Sequence, residues 1–218
     1  VGSKLNVHLI NELSEPTTIH WHGLRIDNKM DEVPGATQEP VNPGEDFLYS
    51  LELSEAGTYW YHPHFNNSEQ IERGLKGVIV VADEVELPWS RDTVWLLDDW
   101  LLQQDGIIYP EFNTPRDLMH DGRWGNVVTI NAEFKPKYKV RPGERIRLRL
   151  VNGANARIFA LDFQDLSAHV IAVDGRPVSH IFPFDNFNLS PGNRVDLDIV
   201  IPQDAGGMTF MVMDTFPR

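Results

Sequence analysis

The chain of 218 residues contains no cysteine. That absence excludes disulfides, thiolate nucleophiles, Cys-ligated zinc, iron–sulfur clusters and any copper site built on a thiolate within these residues. It leaves the compartment open, since cysteine-free chains suit reducing and oxidising spaces alike. No apolar run reaches the roughly 18 residues a membrane-crossing helix needs, so no membrane span is expected. The opening Val1-Gly2-Ser3-Lys4 is not a basic segment leading into an apolar one, so no intact signal peptide is read either. Basic residues are scarce: 19 Lys plus Arg against 32 Asp plus Glu leave a net charge of -13. Such a surface repels phosphate backbones and anionic membranes, and nucleic acid is not an expected partner. What remains is ordinary for a folded protein, because 41% hydrophobic and 23% charged residues suffice to build a core. At roughly 150 residues per domain the length corresponds to one large or two small domains.

Short segments rich in Val, Ile, Tyr, Phe and Thr recur at 46–53, 57–62, 77–81, 93–97, 127–130, 145–151, 157–163, 195–201 and 208–213, and Leu5, Val7 and Leu9 alternate with polar neighbours. Pro-Gly, Asn-Gly, Ala-Gly and Asp-Gly turns punctuate them, which is the pattern of an all-β sandwich or barrel. Residues 68–75 could form one or two helical turns, and 117–123, which include His120, read as loop. Gly2-Ser-Lys-Leu-Asn-Val-His-Leu-Ile-Asn11 aligns without a gap on Gly143-Glu-Arg-Ile-Arg-Leu-Arg-Leu-Val-Asn152. Pro43-Gly44 and Ala56-Gly57 then match Pro191-Gly192 and Ala205-Gly206 in the same order. A sustained order of this kind identifies two copies of one domain. The boundary is placed at 87, giving domains 1–87 and 88–218. Residues 91–142 precede the repeated strand in the second copy, but only Val1 precedes it in the first. The first copy is therefore expected to lack its opening strands, as a piece cut from a longer chain.

Four of the eight histidines form two identical spacings, His20-Trp21-His22 and His62-Pro63-His64. In extended backbone, residues i and i+2 lie on one face about 6.5–7 Å apart, so each pair presents two imidazoles side by side. Neutral imidazole ligates copper, zinc, iron or nickel, and paired rings on rigid strands suit metal binding. The repeat supplies an internal control. The positions equivalent to His20 and His22 are Leu161 and Phe163, and those equivalent to His62 and His64 fall near Met211 and Met213. The scaffold accepts apolar side chains there, so it does not itself require histidine. His8 reads as a solvent-exposed strand residue, and His120, His169 and His180 are isolated.

Thr17-Thr-Ile-His-Trp-His-Gly23 and Gly57-Thr-Tyr-Trp-Tyr-His-Pro-His64 resemble the two copper motifs in the first domain of the multicopper oxidases, which include laccases. Residues 31–38 and Pro40-Val-Asn-Pro-Gly44 are similar to the segment joining those motifs, and Asp174-Gly175 and Leu189-Ser-Pro-Gly192 are further familiar features. The resemblance implies two tandem cupredoxin-like Greek-key β-sandwich domains, with both HxH motifs in the first and no copper ligands in the second. It implies that His20 ligates a type 2 copper, His22 and His62 one type 3 copper, and His64 the other. It makes Asp31 a candidate proton donor for the reduction of dioxygen to water. A third domain would supply four more histidines and, through a His-Cys-His motif, the type 1 copper that takes electrons from a small molecule or metal ion. With that domain missing, the chain is expected to be inactive alone while its parent is an oxidase of the periplasm or extracellular space. Two alternatives stay open: a copper-binding or structural cupredoxin without oxidase activity, and a cupin, although cupins pair one HxH with a nearby Glu and a later single His.

Overall fold

The computed structural model describes residues 1–31, 37–82 and 88–217. The chain divides into two compact units, Val1–Glu84 and Val85–Arg218. The first unit contains β1 (Ser3–Ile10), β2 (His20–His22), a 3-10 turn at Asn28–Met30, β3 (Asp46–Leu53), β4 (Gly57–His62), α1 (Asn67–Glu72) and β5 (Gly77–Val81). The second contains β6 (Arg91–Trp100), α2 (Pro115–Met119), β7 (Val127–Ile130), β8 (Arg145–Asn152), β9 (Leu161–Asp162), β10 (Ala168–Val173), β11 (Arg176–Pro183), β12 (Arg194–Val200) and β13 (Met213–Asp214). This all-β architecture is that of cupredoxin-like sandwiches.

In the first unit, β1 pairs antiparallel with β3, and β2, β4 and β5 form a second antiparallel sheet in that order. The alternating residues of β1 and β3 put Leu5, Val7, Leu9, Tyr49 and Leu51 on one face, where they meet Trp21 of β2 and Tyr61 of β4. The Trp21 ring lies 5.3 Å from Tyr49 and 5.7 Å from Tyr61. Tyr49 also ties the layers together through its hydroxyl, which accepts the Ile19 N–H at 3.1 Å. Burying a Trp and a Tyr between the sheets dictates which way β2 and β4 face. Their even-numbered residues, His20, His22, Trp60 and His62, must point to the opposite side.

The second unit is built on a six-stranded sheet of order β11-β10-β12-β8-β6-β7, in which β6 and β8 run parallel and all other pairs antiparallel. Ile146, Leu148 and Leu150 of β8 and Val195, Leu197 and Ile199 of β12 face its core with Leu97, Phe159, Val170 and Leu189. The other face of the same strands carries alternating charge. Arg149 lies between Asp92 and Asp196, Arg147 bonds Asp196, and Arg145 bonds Asp198.

Several elements depart from the spacing-based expectation. Pairing in 157–163 is confined to Leu161–Asp162 plus a bridge from Phe159 to Leu189, and in 208–213 it reaches only Met213, at the start of β13. In both segments the apolar side chains, Phe159, Phe163, Phe210 and Val212, are packed into the core without a continuous ladder. The spacing-based reading omits β10 and β11. Two prolines in β11, Pro177 and Pro183, argue against a strand, but β11 is the sheet edge, where a missing N–H is tolerated. The segment around 117 is a short helix rather than loop. Thr114 accepts the Asp117 N–H, Asp117 accepts the Thr114 N–H in return, and Pro115 opens the first turn.

Candidate metal centre

The antiparallel register of β2 and β4 sets His20 opposite His62, Trp21 opposite Tyr61 and His22 opposite Trp60. Two HxH motifs forty residues apart in sequence thus meet on one face. His20, His22 and His62 each offer a ring nitrogen, all within 4.8 Å of one another. His64 lies beyond the end of β4, and its ring stacks on His20 at 4.3 Å with an 18° angle between planes. Among the described residues no other group of three or more His, Asp or Glu side chains gathers in this way.

The partners of each ring determine which nitrogen is free. His20 Nδ1 donates to Asp31 Oδ1 at 2.6 Å, which leaves Nε2 as the available donor atom. His62 Nδ1 donates to the Pro63 carbonyl at 3.0 Å, again leaving Nε2. That Nε2 lies 3.4 Å from His22 Nδ1, so two ring nitrogens converge where only one shared proton or one cation can satisfy both lone pairs. Metal–imidazole bonds of about 2.0–2.1 Å at near-tetrahedral angles place ligand nitrogens about 3.3–3.4 Å apart, and the observed spacing fits.

Burial pushes the His62 imidazole down to about 4, so the ring is neutral at physiological pH and its lone pair is available. Asp31 is shifted in the ionised direction. Burial alone raises its carboxyl, but the His20 hydrogen bond and charge, the Trp21 backbone N–H and the His64 charge together outweigh it. The carboxylate is 32% exposed and so keeps contact with solvent. The four histidines and Asp31 are thus brought into one cluster, with Asp31 hydrogen-bonded to it through His20. Residues 32–36 of the motif-joining segment and 83–87 at the expected domain boundary lie outside the described residues.

Two further features of the site were not assigned from spacing. Trp60 is buried beneath the histidines, its ring 4.2 Å from His62 and 5.2 Å from His22. Its position two residues before His62 in a strand was the available signal. Thr18 Oγ1 accepts the His64 N–H at 3.1 Å, and only the folded chain reveals that pairing. In the second unit, Phe163, equivalent to His22, is buried in the core, while Met211 and Met213 are exposed.

Two family models, both described as multicopper oxidase, match residues 1–86 and 91–215. The chain belongs to the multicopper oxidases. It is 32% identical over 202 residues to multicopper oxidase mco of Staphylococcus aureus, covering 91% of this chain and 44% of that protein. Crystal structures of multi-copper oxidases from Pseudomonas parafulva and Pseudomonas thermotolerans superpose with TM-scores of 0.90 and 0.89. They are 36% and 34% identical, and each covers 98% of this chain, which covers 52% and 54% of theirs. The chain spans about half the length of the curated relatives it matches. Copper is the metal this multicopper oxidase family implies. The donor set suits it: three converging imidazoles with the remaining ring nitrogens of His20 and His62 held by a carboxylate and a carbonyl.

Proposed function

We propose that this chain is the N-terminal part of a multicopper oxidase that takes electrons from a small molecule or metal ion and reduces dioxygen to water. The observation that carries this reading is the convergence of His20, His22 and His62 ring nitrogens within 4.8 Å. In it, residues 1–87 are the copper-bearing domain and residues 88–218 a companion domain without copper ligands. His22 and His62, whose ring nitrogens lie 3.4 Å apart, hold one type 3 copper; His20 holds the type 2 copper and His64 the second type 3 copper. Copper, when bound, supplies the one-electron carriers through which dioxygen receives four electrons.

The chain's own residues orient and supply protons. Asp31 holds His20 in the tautomer with Nε2 free, and its part-exposed carboxylate, assigned as the proton donor, can relay a proton from solvent beside the His20 ring. Electron entry is assigned to a third domain, because a type 1 site needs a thiolate and the chain has no cysteine. The assignment to the periplasm or extracellular space follows from the family resemblance. The test is oxygen uptake with a phenolic donor. The copper-loaded chain alone is expected to consume no oxygen above free copper, while its copper content exceeds that of a variant carrying Gln at positions 20, 22, 62 and 64. Uptake that scales with chain concentration contradicts the assignment to a partial site, and equal copper content contradicts the copper reading.

A further inference from the structure

Three of the four clustered histidines are held by the β2–β4 ladder, and the fourth is not. His64 lies two residues past the last residue of β4, beyond the β2–β4 ladder. A set of side chains around residues 15–18 takes over. The hydroxyl of Thr18, itself 2% exposed, accepts the His64 N–H at 3.1 Å. On the other side of His64, α1 begins at Asn67. It has six residues, too short to persist without tertiary contacts.

Gln70 provides those contacts. Its amide is 1% exposed and both ends are used: Oε1 accepts the Thr17 hydroxyl at 2.7 Å and Nε2 donates to the Pro16 carbonyl at 2.9 Å. Asn66, at a left-handed φ of 42°, adds a bond from Nδ2 to Glu15 Oε2 at 3.1 Å. A buried amide that loses either partner incurs a desolvation penalty, so Gln70 admits one placement of α1 against the segment entering β2. Residues 15–18 lead directly into His20. The same contacts bridge the two HxH motifs at the end where the ladder has stopped, beside the His20–His64 stack at 4.3 Å.

We infer that Thr18 and Gln70 are positioning residues for His64, acting through its backbone and through α1, to hold the fourth imidazole in the metal-binding face before any metal arrives. This rests on the copper reading above for its functional meaning, but the clamp itself is a property of the metal-free chain.

Two measurements on the 218-residue chain separate the two. In the metal-free protein, the nuclear Overhauser contact between the His20 and His64 rings is expected to persist in Thr18→Ser and to vanish in Thr18→Val and Gln70→Leu. In Cu(II) titration calorimetry, Thr18→Val and Gln70→Leu are expected to bind about 10–100-fold more weakly, the usual loss for an outer-sphere partner, with Thr18→Ser like the parent. Persistence of the ring contact in Thr18→Val overturns the clamp. So does equal loss in Thr18→Val and Thr18→Ser, which would show that the hydroxyl is not the operative group. A parent chain that binds no Cu(II) while the ring contact responds as stated contradicts the copper reading and leaves the clamp standing. Should Gln70→Leu not fold, the Thr18 pair decides alone.

Discussion

A histidine ready to ligate must be neutral, with one ring nitrogen occupied and the other free, and the surroundings of His62 meet each condition. Its Nδ1 donates to the Pro63 carbonyl, and burial lowers its proton affinity to about 4. The unfolded imidazole titrates near 6.5, so between those values the unfolded chain binds a proton that the folded chain does not. Stability of the metal-free protein should therefore decline as pH falls from about 6.5 toward 4 and lose this dependence below it. His62→Gln should flatten that limb in urea unfolding series, and an unchanged slope contradicts the assignment. At Asp31 the expectation is different. Asp31→Asn keeps an acceptor for His20 but removes the charge the fold favours, and should weaken Cu(II) binding about tenfold or more in titration calorimetry while also lowering the metal-free melting temperature near neutral pH. Trp60 packs against both rings whose nitrogens converge. Trp60→Phe should retain Cu(II) affinity, whereas Trp60→Ala should lower it and broaden the His22 and His62 ring resonances.

At the level of elements, the ladder between β2 and β4 converts two separated sequence motifs into one cluster, and that step was legible because HxH spacing and strand parity are local properties. Trp21 and Tyr61 anchor the opposite face, so reversing the parity of either strand would bury the imidazoles and expose the core. The β8–β12 pair shows the limit of the same reasoning. Alternation identified its apolar face, but not that the polar face would place Asp196 between Arg147 and Arg149 at 2% side-chain exposure. Asp196→Ala leaves two guanidinium groups without their shared carboxylate and should cost about 3–5 kcal/mol in urea unfolding. On the same face, hydrogen bonds from Arg145 and Trp89 outweigh burial and hold the Asp198 carboxyl below its usual range. Its contribution is present above the unfolded value of 3.8 and is lost as pH falls through the lower folded value, so Asp198→Asn should blunt acid unfolding below about pH 4. β11 escaped sequence reasoning for a physical reason: whether a proline excludes a strand depends on sheet position, which Pro177 alone does not disclose.

For the whole molecule, the internal repeat carried more information than any single motif. It pointed to two related copies and aligned Leu161 and Phe163, and positions near Met211 and Met213, with the histidines of the first copy. The contacts that hold His64 are not legible in the sequence, because Thr18 and Gln70 act across the fold and neither carries a spacing signal. Matching about half of its relatives' length, the chain is read as a partial copper cluster, and its central claim is that His20, His22, His62 and His64 bind copper together. Pulsed electron paramagnetic resonance of the Cu(II)-loaded chain tests this most directly, since the remote nitrogen of each coordinated imidazole modulates the echo. Modulation from at least two imidazoles, reduced by His22→Gln and again by adding His62→Gln, is the expected result. A spectrum without imidazole modulation, or one that survives replacement of all four histidines, would contradict the account.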